Sequence, residues 1–211
     1  MKYSLVIWDF NGTILNDVQT GIAAVNRLLS RRGIPTVRNM EHYYSVFGFP
    51  IKDYYSKIGF DFEKESYDTV AHEWVKEYLD LVPNAPARSN VVSAVRKIKE
   101  AGVPQVILSA TESKMLKMQV DMLGISELFD EILGMDTIYA YGKQDMALAW
   151  MKKNGIKNAV LIGDTEHDAE VAAAIGADCV LVTGGHQNRA KLENCGVTVK
   201  DDAELADFLL S

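Results

Sequence analysis

Two carboxylates, each placed at the end of an apolar run, are the residues of this chain best suited to do chemistry. Asp9 ends the run 3–8, and far along the chain Asp164 follows the run 160–162. An open α/β sheet binds its ligands at the carboxyl ends of buried strands. Asp168 lies four residues after Asp164 and is expected on the same side of the turn into a helix. The pattern predicts a divalent metal held between neighbouring strands.

Strands and helices alternate along most of the chain, which predicts an α/β fold with a doubly wound, Rossmann-like parallel sheet. The strand signals are nearly unbroken runs of Val, Ile and Leu, as expected for strands covered on both faces. They occupy 3–8, 104–109, 131–134, 158–162, 178–183 and 197–199. Helical segments separate them at 90–101, 112–123, 144–154, 168–175 and 201–210.

Residues 16–86 break this rhythm and predict an inserted, all-helical cap domain. The segment has no convincing buried strand and holds 11 of the 19 aromatic residues. Its helices are expected near 17–32, 39–46, 50–58 and 63–81. We therefore assign 1–15 and 87–211 to the α/β core domain. An insertion after the first strand is expected to cover the carboxyl edge of the sheet, where it would exclude water and select the substrate.

Composition argues against several classes of protein. The net charge is −7 and no Lys/Arg block is longer than a pair, so nucleic acid is not an expected partner. No run reaches the about 18 apolar residues of a membrane span, and no leader pattern is visible at the amino terminus. Cys179 and Cys195 lack metal-ligand spacing and are interpreted as free thiols. We expect a cytoplasmic protein with a small-molecule partner, either a monomer or a homodimer.

Four segments in order along the chain resemble the motifs of the haloacid dehalogenase superfamily, in its phosphoglycolate-phosphatase-like branch with a helical cap. Residues 9–13 (DFNGT) are similar to the first motif, DxDGT, and 106–109 (VILS) to the second, an apolar strand ending in Ser or Thr. Lys143 stands where the lysine of the third motif is expected. Residues 163–168 (GDTEHD) match the fourth motif, GDxxxD. One motif alone would be a weak signal, whereas four in order are a specific one.

The resemblance implies a Mg²⁺-dependent phosphatase that hydrolyses a small phosphorylated metabolite through an aspartyl phosphate. Asp9 would be the nucleophile, and the catalytic residues implied are Asp9, Asn11, Ser109 and Lys143. Mg²⁺, which prefers hard oxygen ligands, would be held by Asp9, the backbone carbonyl of Asn11, Asp164 and Asp168. Asp168 would act through water or by orienting its neighbours.

The same resemblance implies a set of phosphate contacts. Besides backbone N–H groups of the first turn, the Ser109 hydroxyl and the Ala110 N–H would hold a phosphate oxygen. Lys143 would neutralise the remaining charge, with Lys114 and Lys117 of the preceding helix as alternatives. The complete substrate-binding set implied is Phe10, Gly12, Thr13, Ser109, Ala110 and Lys143.

Asn11 departs from the family pattern. This position usually carries an Asp that protonates the leaving oxygen and later deprotonates water, and an amide does neither at neutral pH. General acid–base help contributes roughly 10²–10⁴ in rate. We therefore expect slow turnover, a preference for good leaving groups, or recruitment of another base, for which His42, His167 and His186 are candidates.

Other functions stay open. A phosphomutase also uses an aspartyl phosphate, but it depends even more on the acid missing at position 11. A dehalogenase needs no metal, and the intact pair Gly163-Asp164 argues against it. Phosphonate hydrolysis requires a cap lysine, and nothing distinguishes Lys52 or Lys57. The alternative from a different class is a phospho-ligand-binding or regulatory protein with little turnover. Asn11 supports this alternative, because it replaces the usual acid.

Overall fold

A computed structural model describes residues 2–139 and 142–211 of the chain. The chain divides into two compact units. The core unit comprises Met1–Asn16 and Pro86–Ser211, and the helical unit comprises Asp17–Ala85. Among the described residues, no helix is both long and apolar enough to cross a membrane.

The core unit is built on one sheet in which every neighbouring pair of strands is parallel. Its strands are β1 (Leu5–Trp8), β2 (Gln105–Glu112), β3 (Glu131–Met135), β4 (Ala159–Gly163), β5 (Asp178–Val182) and β6 (Thr198–Lys200). Their order is β3-β2-β1-β4-β5-β6. Because the winding reverses at β1, the carboxyl ends of β1 and β4 lie side by side at the point where such sheets open a ligand crevice.

The first strand is buried on both faces, and this fixes the position of the residue that follows it. All four residues of β1 are buried. The indole of Trp8 is fully enclosed, and its Nε1–H donates to Gln105 Oε1 on the neighbouring β2 at 2.9 Å. Burying an indole is favourable when its one polar group finds a partner. The end of β1 is therefore anchored both by apolar packing and by this hydrogen bond.

The helical unit contains no strand, and every one of its residues is described. Its helices are α1 (Val18–Arg31), α2 (Met40–Val46), α3 (Ile51–Lys57) and α4 (Tyr67–Leu81). Aromatic rings supply much of its core: Tyr43 stacks on Phe47 with 5.0 Å between centroids, and Trp74 stacks on Tyr78 at 4.7 Å. The Tyr78 hydroxyl donates to Asp17 at 2.6 Å, so the polar end of this buried ring is also satisfied.

The helices of the core unit follow the strands as the sequence predicted. They are α5 (Ser89–Glu100), α6 (Ser113–Met122), α7 (Lys143–Asn154), α8 (Glu166–Ile175), α9 (Arg189–Glu193) and α10 (Leu205–Leu210). The prediction of a doubly wound parallel α/β fold is confirmed. The short α9 was not predicted; its first turn is capped by the Asn188 side chain, which accepts from the Lys191 N–H.

Two element boundaries differ from the predicted ones in the region of the site. The strand predicted to end at Ser109 continues to Glu112 as β2, with an irregular register to β3 between Leu108 and Glu112. The helix predicted from 168 begins at Glu166 instead. The side chains of Thr165 and Asp168 cap this helix reciprocally, which satisfies two backbone donors of its first turn and starts it earlier.

Candidate active site

The two strand-end acids of the sequence analysis lie on neighbouring strands of the core unit. Asp9 directly follows β1, and its N–H donates to the carbonyl of Ile162 in β4 at 2.8 Å. Asp164 directly follows β4. Oxygen atoms of Asp9, Asp164 and Asp168 all lie within 4.8 Å of one another, and the three residues are buried. The fold therefore brings together acids from segments that are far apart in the chain.

Lys143 supplies a positive charge to this cluster. It is the first residue of α7, and its side chain is only 2% exposed. Its Nζ lies 2.5 Å from Asp9 Oδ1 and 2.7 Å from Asp168 Oδ1. Lys114 and Lys117, the alternatives considered from the sequence, are both exposed on α6. The structure therefore places Lys143 at the acid cluster.

Asp168 is engaged through both of its carboxylate oxygens. While Oδ1 pairs with Lys143, Oδ2 accepts from the Thr165 hydroxyl at 2.7 Å and from the Thr165 N–H at 3.1 Å. The Asp164 N–H donates to the same oxygen at 3.2 Å. Asp168 thus holds both the lysine and the backbone that carries Asp164, which favours an orienting role over direct ligation.

Asp164 lies in a narrow cradle formed by two other loops. Its Oδ1 accepts from the Thr13 hydroxyl at 3.0 Å, and its Oδ2 accepts from the His186 N–H at 2.6 Å. A Cβ added at Gly12 or at Gly185 would lie 2.3 or 2.2 Å from Asp164 Oδ2, far inside contact distance. Gly12 also has φ +76°, which L side chains rarely adopt. Glycine is therefore required at both positions to let the backbone approach this carboxylate.

The three acids differ in pKa because they differ in their neighbours. Burial raises the pKa of Asp9 to about 8; Lys143 opposes this rise, while Asp168 and Asp164 add to it. Burial also raises the pKa of Asp164 to about 6. Burial would raise the pKa of Asp168, but Lys143 outweighs this effect and the pKa of Asp168 is lowered. Burial would lower the pKa of Lys143, but the paired carboxylates of Asp168 and Asp9 raise it. Three buried carboxyl groups thus share one amine, and a cation bound beside them would allow all three to ionise.

The donor set fits a magnesium ion. Mg²⁺ favours carboxylate and carbonyl oxygens and is commonly bound through one or two carboxylates with several waters. Asp9 and Asp164 present buried carboxylates whose pKa values are raised chiefly by burial, and a bound cation would favour their ionised forms. No His or Cys contributes to this acid cluster of described residues, so the set does not resemble a zinc site.

The end of β2 forms the other side of the candidate site and orients Asn11. Ser109 is buried, and its Oγ accepts from the Thr111 N–H at 3.1 Å. The Thr111 hydroxyl donates to Asn11 Oδ1 at 2.7 Å, while Ser109 Oγ lies 3.5 Å from the same oxygen. Ala110 between them is half-buried. The predicted residue Ser109 therefore adjoins the first turn. Thr111 also contacts this turn and was not predicted, because the strand was expected to end at Ser109.

Phe10 and Thr13, which were expected to bind substrate, both have fully buried side chains. Phe10 is fully enclosed, and its carbonyl accepts from the N–H groups of Ile14 and Leu15 at 2.8 and 2.9 Å. Any contact between Phe10 and a substrate would therefore have to use its backbone N–H. The Thr13 hydroxyl is directed at Asp164, as described above, which is a positioning contact rather than a substrate contact.

Arg88 connects three separate segments around the site and was not identified from the sequence. Its Nη1 donates to the Gly12 carbonyl at 2.9 Å, and its Nη2 donates to the Thr183 carbonyl at 2.6 Å. Nη2 also pairs with Asp202 at 2.9 Å, and the arginine side chain is only 8% exposed. The first turn is thereby joined to the loop after β5, which carries Gly185. An arginine that lies outside every motif gave no signal, because its partners are mostly backbone carbonyls.

The histidines considered as replacement bases lie in different surroundings. The ring of His186 lies beside the first turn, since a Cβ added at Gly12 would be 2.5 Å from its Cδ2. His167 faces Glu170 at 3.2 Å on the exposed side of α8. His42 belongs to α2 of the helical unit. Of the two histidines in the core unit, His186 is therefore the one in contact with the glycine turn.

Comparison with known proteins identifies the family. The model of the haloacid dehalogenase-like hydrolases matches residues 6–182. The chain belongs to this family. Among curated relatives of this hydrolase, a phosphoglycolate phosphatase of Pseudomonas putida is 23% identical over 193 residues, covering 87% of this chain and 71% of the relative. A phosphoglycolate phosphatase of Pseudomonas fluorescens is 26% identical over 212 residues, covering 94% and 76%.

Solved structures agree with the fold of this hydrolase. A haloacid dehalogenase-like hydrolase from Streptococcus pneumoniae superposes with a TM-score of 0.84 at 18% identity, covering 99% of both chains. A conserved haloacid dehalogenase-like protein from Agrobacterium tumefaciens gives a TM-score of 0.78 at 20% identity, covering 99% of this chain and 98% of that one. At such identities the similarity supports the fold, and the chemistry has to be argued from the site itself.

Proposed function

We propose that this hydrolase is a Mg²⁺-dependent phosphatase that acts on a small phosphorylated metabolite through an aspartyl phosphate at Asp9. One observation carries the proposal. Asp9, Asp164 and Asp168 converge within 4.8 Å beside the buried amine of Lys143, at the carboxyl ends of neighbouring strands. The names of the curated relatives, phosphoglycolate phosphatases, support the same class of substrate.

Each residue of the cluster has a distinct task in this proposal. Asp9 and Asp164, with the backbone carbonyl of Asn11, would hold the ion, which when bound would offset the repulsion between the Asp9 carboxylate and an anionic phosphate. Lys143 orients Asp9 through its 2.5 Å contact and neutralises charge on the phosphoryl group. Asp168 keeps the lysine and the Asp164 backbone in place.

The reaction would proceed in two displacements at phosphorus. An oxygen of Asp9 attacks the phosphorus atom, the bond from phosphorus to the leaving oxygen breaks, and the leaving group departs with the electron pair. Water then attacks the phosphorus, the bond to Asp9 breaks, and inorganic phosphate is released with the carboxylate restored. In this proposal the hydroxyl of Ser109 and the N–H of Ala110 would donate to phosphate oxygens.

A phosphate-release assay tests the proposal. The protein is expected to release phosphate from phosphoglycolate or an aryl phosphate with Mg²⁺, to stop when EDTA is added, and to lose this activity in the Asp9→Asn variant. The absence of both phosphate release and phosphoryl transfer to Asp9 with every phosphate donor would refute it. We further propose that the helical unit serves as the cap that selects the substrate. A cytoplasmic location and a monomeric or homodimeric state stay predictions of the sequence.

A second function is favoured by one observation. Asn11 cannot exchange a proton, so a protein that binds a phosphorylated ligand with little turnover would also be compatible with this site. The two functions differ in a single measurement. If a phosphorylated metabolite stabilises the protein against thermal unfolding in a Mg²⁺-dependent manner and no phosphate is released, the binding function is favoured.

A further inference from the structure

The hydrogen bonds around Asn11 determine which way its amide faces. Its Oδ1 accepts from the Thr111 hydroxyl at 2.7 Å, and Ser109 Oγ lies 3.5 Å away on the same side. Thr111 is itself held by its N–H, which donates to Ser109 at 3.1 Å. Because an amide is planar, this arrangement directs the NH₂ group of Asn11 away from β2. The amide of Asn11 therefore carries donor hydrogens on that side, and it has no acidic proton to release.

Among the described residues, the hydroxyls and the amine closest to Asn11 do not supply the missing acid. The hydroxyls of Ser109 and Thr111 are not acids at neutral pH. The amine of Lys143 directs its hydrogens at Asp9 and Asp168, at 2.5 and 2.7 Å. The ring of His186 lies beside the glycine turn, and the His186→Gln variant described below tests it as a proton donor. Without an acid at position 11, the leaving oxygen departs as an anion that is stabilised by hydrogen bonds.

A departing oxygen without a proton places a strong condition on the substrate. When Asp9 attacks, the leaving oxygen carries away the electron pair of the broken bond as an anion. A carboxylate, whose acid has a pKa of about 4, or a phenolate, at about 10, can leave in this form. An alkoxide resembles hydroxide, the conjugate base of water with a pKa of about 16, and needs a proton donor in the transition state.

We propose that this site is specific for phosphoryl donors with a weakly basic leaving oxygen, namely acyl, enol and aryl phosphates, rather than phosphate esters of alcohols. The proposal rests on the proposed phosphatase function and names its substrate class. It also predicts the second step. The attacking water finds no base at Asn11 and must transfer its proton to solvent or to the phosphate. The aspartyl phosphate is therefore hydrolysed more slowly than it forms, and it accumulates.

The test compares two donors that differ in the leaving group. Acetyl phosphate loses acetate, and phosphoglycolate loses an alkoxide. The ratio kcat/KM is measured for each with Mg²⁺, because it reports only the steps up to formation of the aspartyl phosphate. In the wild-type chain we expect kcat/KM for acetyl phosphate to exceed that for phosphoglycolate by at least about 10². Asp9→Asn protein supplies the background rate.

The Asn11→Asp variant then restores the missing acid. It is expected to raise kcat/KM for phosphoglycolate by about 10²–10⁴ while changing the value for acetyl phosphate less than about tenfold. A variant that raises both values equally, or lowers the value for phosphoglycolate, would overturn the proposal. If the His186→Gln variant of the wild-type chain selectively loses the alkyl ester, another proton donor operates and the proposal is equally overturned.

A measurement besides turnover examines the intermediate and the orientation of the amide. After mixing with acetyl phosphate, intact mass spectrometry should show one added phosphoryl group in wild-type protein and much less in Asn11→Asp. Thr111→Val should lower kcat/KM for acetyl phosphate severalfold by releasing the amide, whereas Thr111→Ser, which keeps the hydroxyl, should not. Equal values for Thr111→Val and wild type would remove the assigned role of Thr111 and overturn the orientation argument.

The outcomes separate the two proposals. If neither donor yields phosphate or phosphorylated protein, the phosphatase function itself fails. If both donors are processed with equal kcat/KM, the phosphatase function stands and only the proposed substrate class fails.

Discussion

Replacing Lys143 by Met should destabilise the metal-free protein in a manner that depends on pH. The side chain is buried, and its amine pairs with Asp9 and Asp168 at 2.5 and 2.7 Å. Methionine has a similar length and no charge, so the core stays filled while two buried carboxylates lose their partner. Removing one partner of a buried ion pair typically costs about 3–5 kcal/mol, because the remaining charge is left uncompensated.

The direction of the pH dependence follows from the pKa shifts. In the wild-type chain Lys143 lowers the pKa of Asp168 and opposes the rise of Asp9 to about 8. Without the amine, both pKa values move upward, so the folded variant binds more protons than the unfolded chain above about pH 4. Its free energy of unfolding therefore falls as the pH rises. The difference from wild type should be small near pH 5 and largest at pH 8 and above.

Thermal unfolding in EDTA measures this effect, since a bound cation would replace part of the lost charge. For a chain of this size about 1 kcal/mol shifts the midpoint by about 2–4 °C. A loss of 3–5 kcal/mol therefore corresponds to a decrease of about 6–20 °C at pH 8. Lys117→Met on the exposed face of α6 is the matched control and should change the free energy of unfolding by less than about 0.5 kcal/mol. A Lys143→Met variant as stable as wild type at pH 8, or equally destabilised at every pH, would refute the reasoning.

Two further predictions concern the supports of the acid cluster. Gly185→Ala should reduce the Mg²⁺ affinity measured by calorimetry about 10–100-fold, since the new Cβ would lie 2.2 Å from Asp164. Gly21→Ala is the control, because its Cβ would meet only Trp74 at 3.8 Å, and it should leave the affinity unchanged. An unchanged affinity in Gly185→Ala would contradict the requirement for glycine beside Asp164. Arg88→Ala should lower the free energy of unfolding by about 1–3 kcal/mol in urea, because two carbonyls and a carboxylate lose their donor. Arg96→Ala, at an exposed position of α5, should have little effect, and similar values for the two variants would argue against Arg88 as a connecting residue.

The sequence alone was sufficient to predict the α/β fold. Runs of apolar residues alternate with amphipathic segments, and such local periodicity reflects burial directly. The two acids at strand ends were also visible, because a charged residue after a buried run is a local feature. The resemblance added Lys143 and Ser109, and the structure places Lys143 beside Asp9 and Ser109 beside Asn11.

Only the tertiary structure decided how these residues are supported. β1 lies between β2 and β4, and this order places Asn11 against Thr111 and Asp9 beside Asp164. Arg88 and the His186 N–H contribute through backbone contacts between distant segments, which leave no trace in local spacing. Periodicity records which faces are buried, whereas the partner of each polar group is set by which strands and loops become neighbours. The orientation of the Asn11 amide, on which the proposed substrate class depends, belongs to that second kind of information.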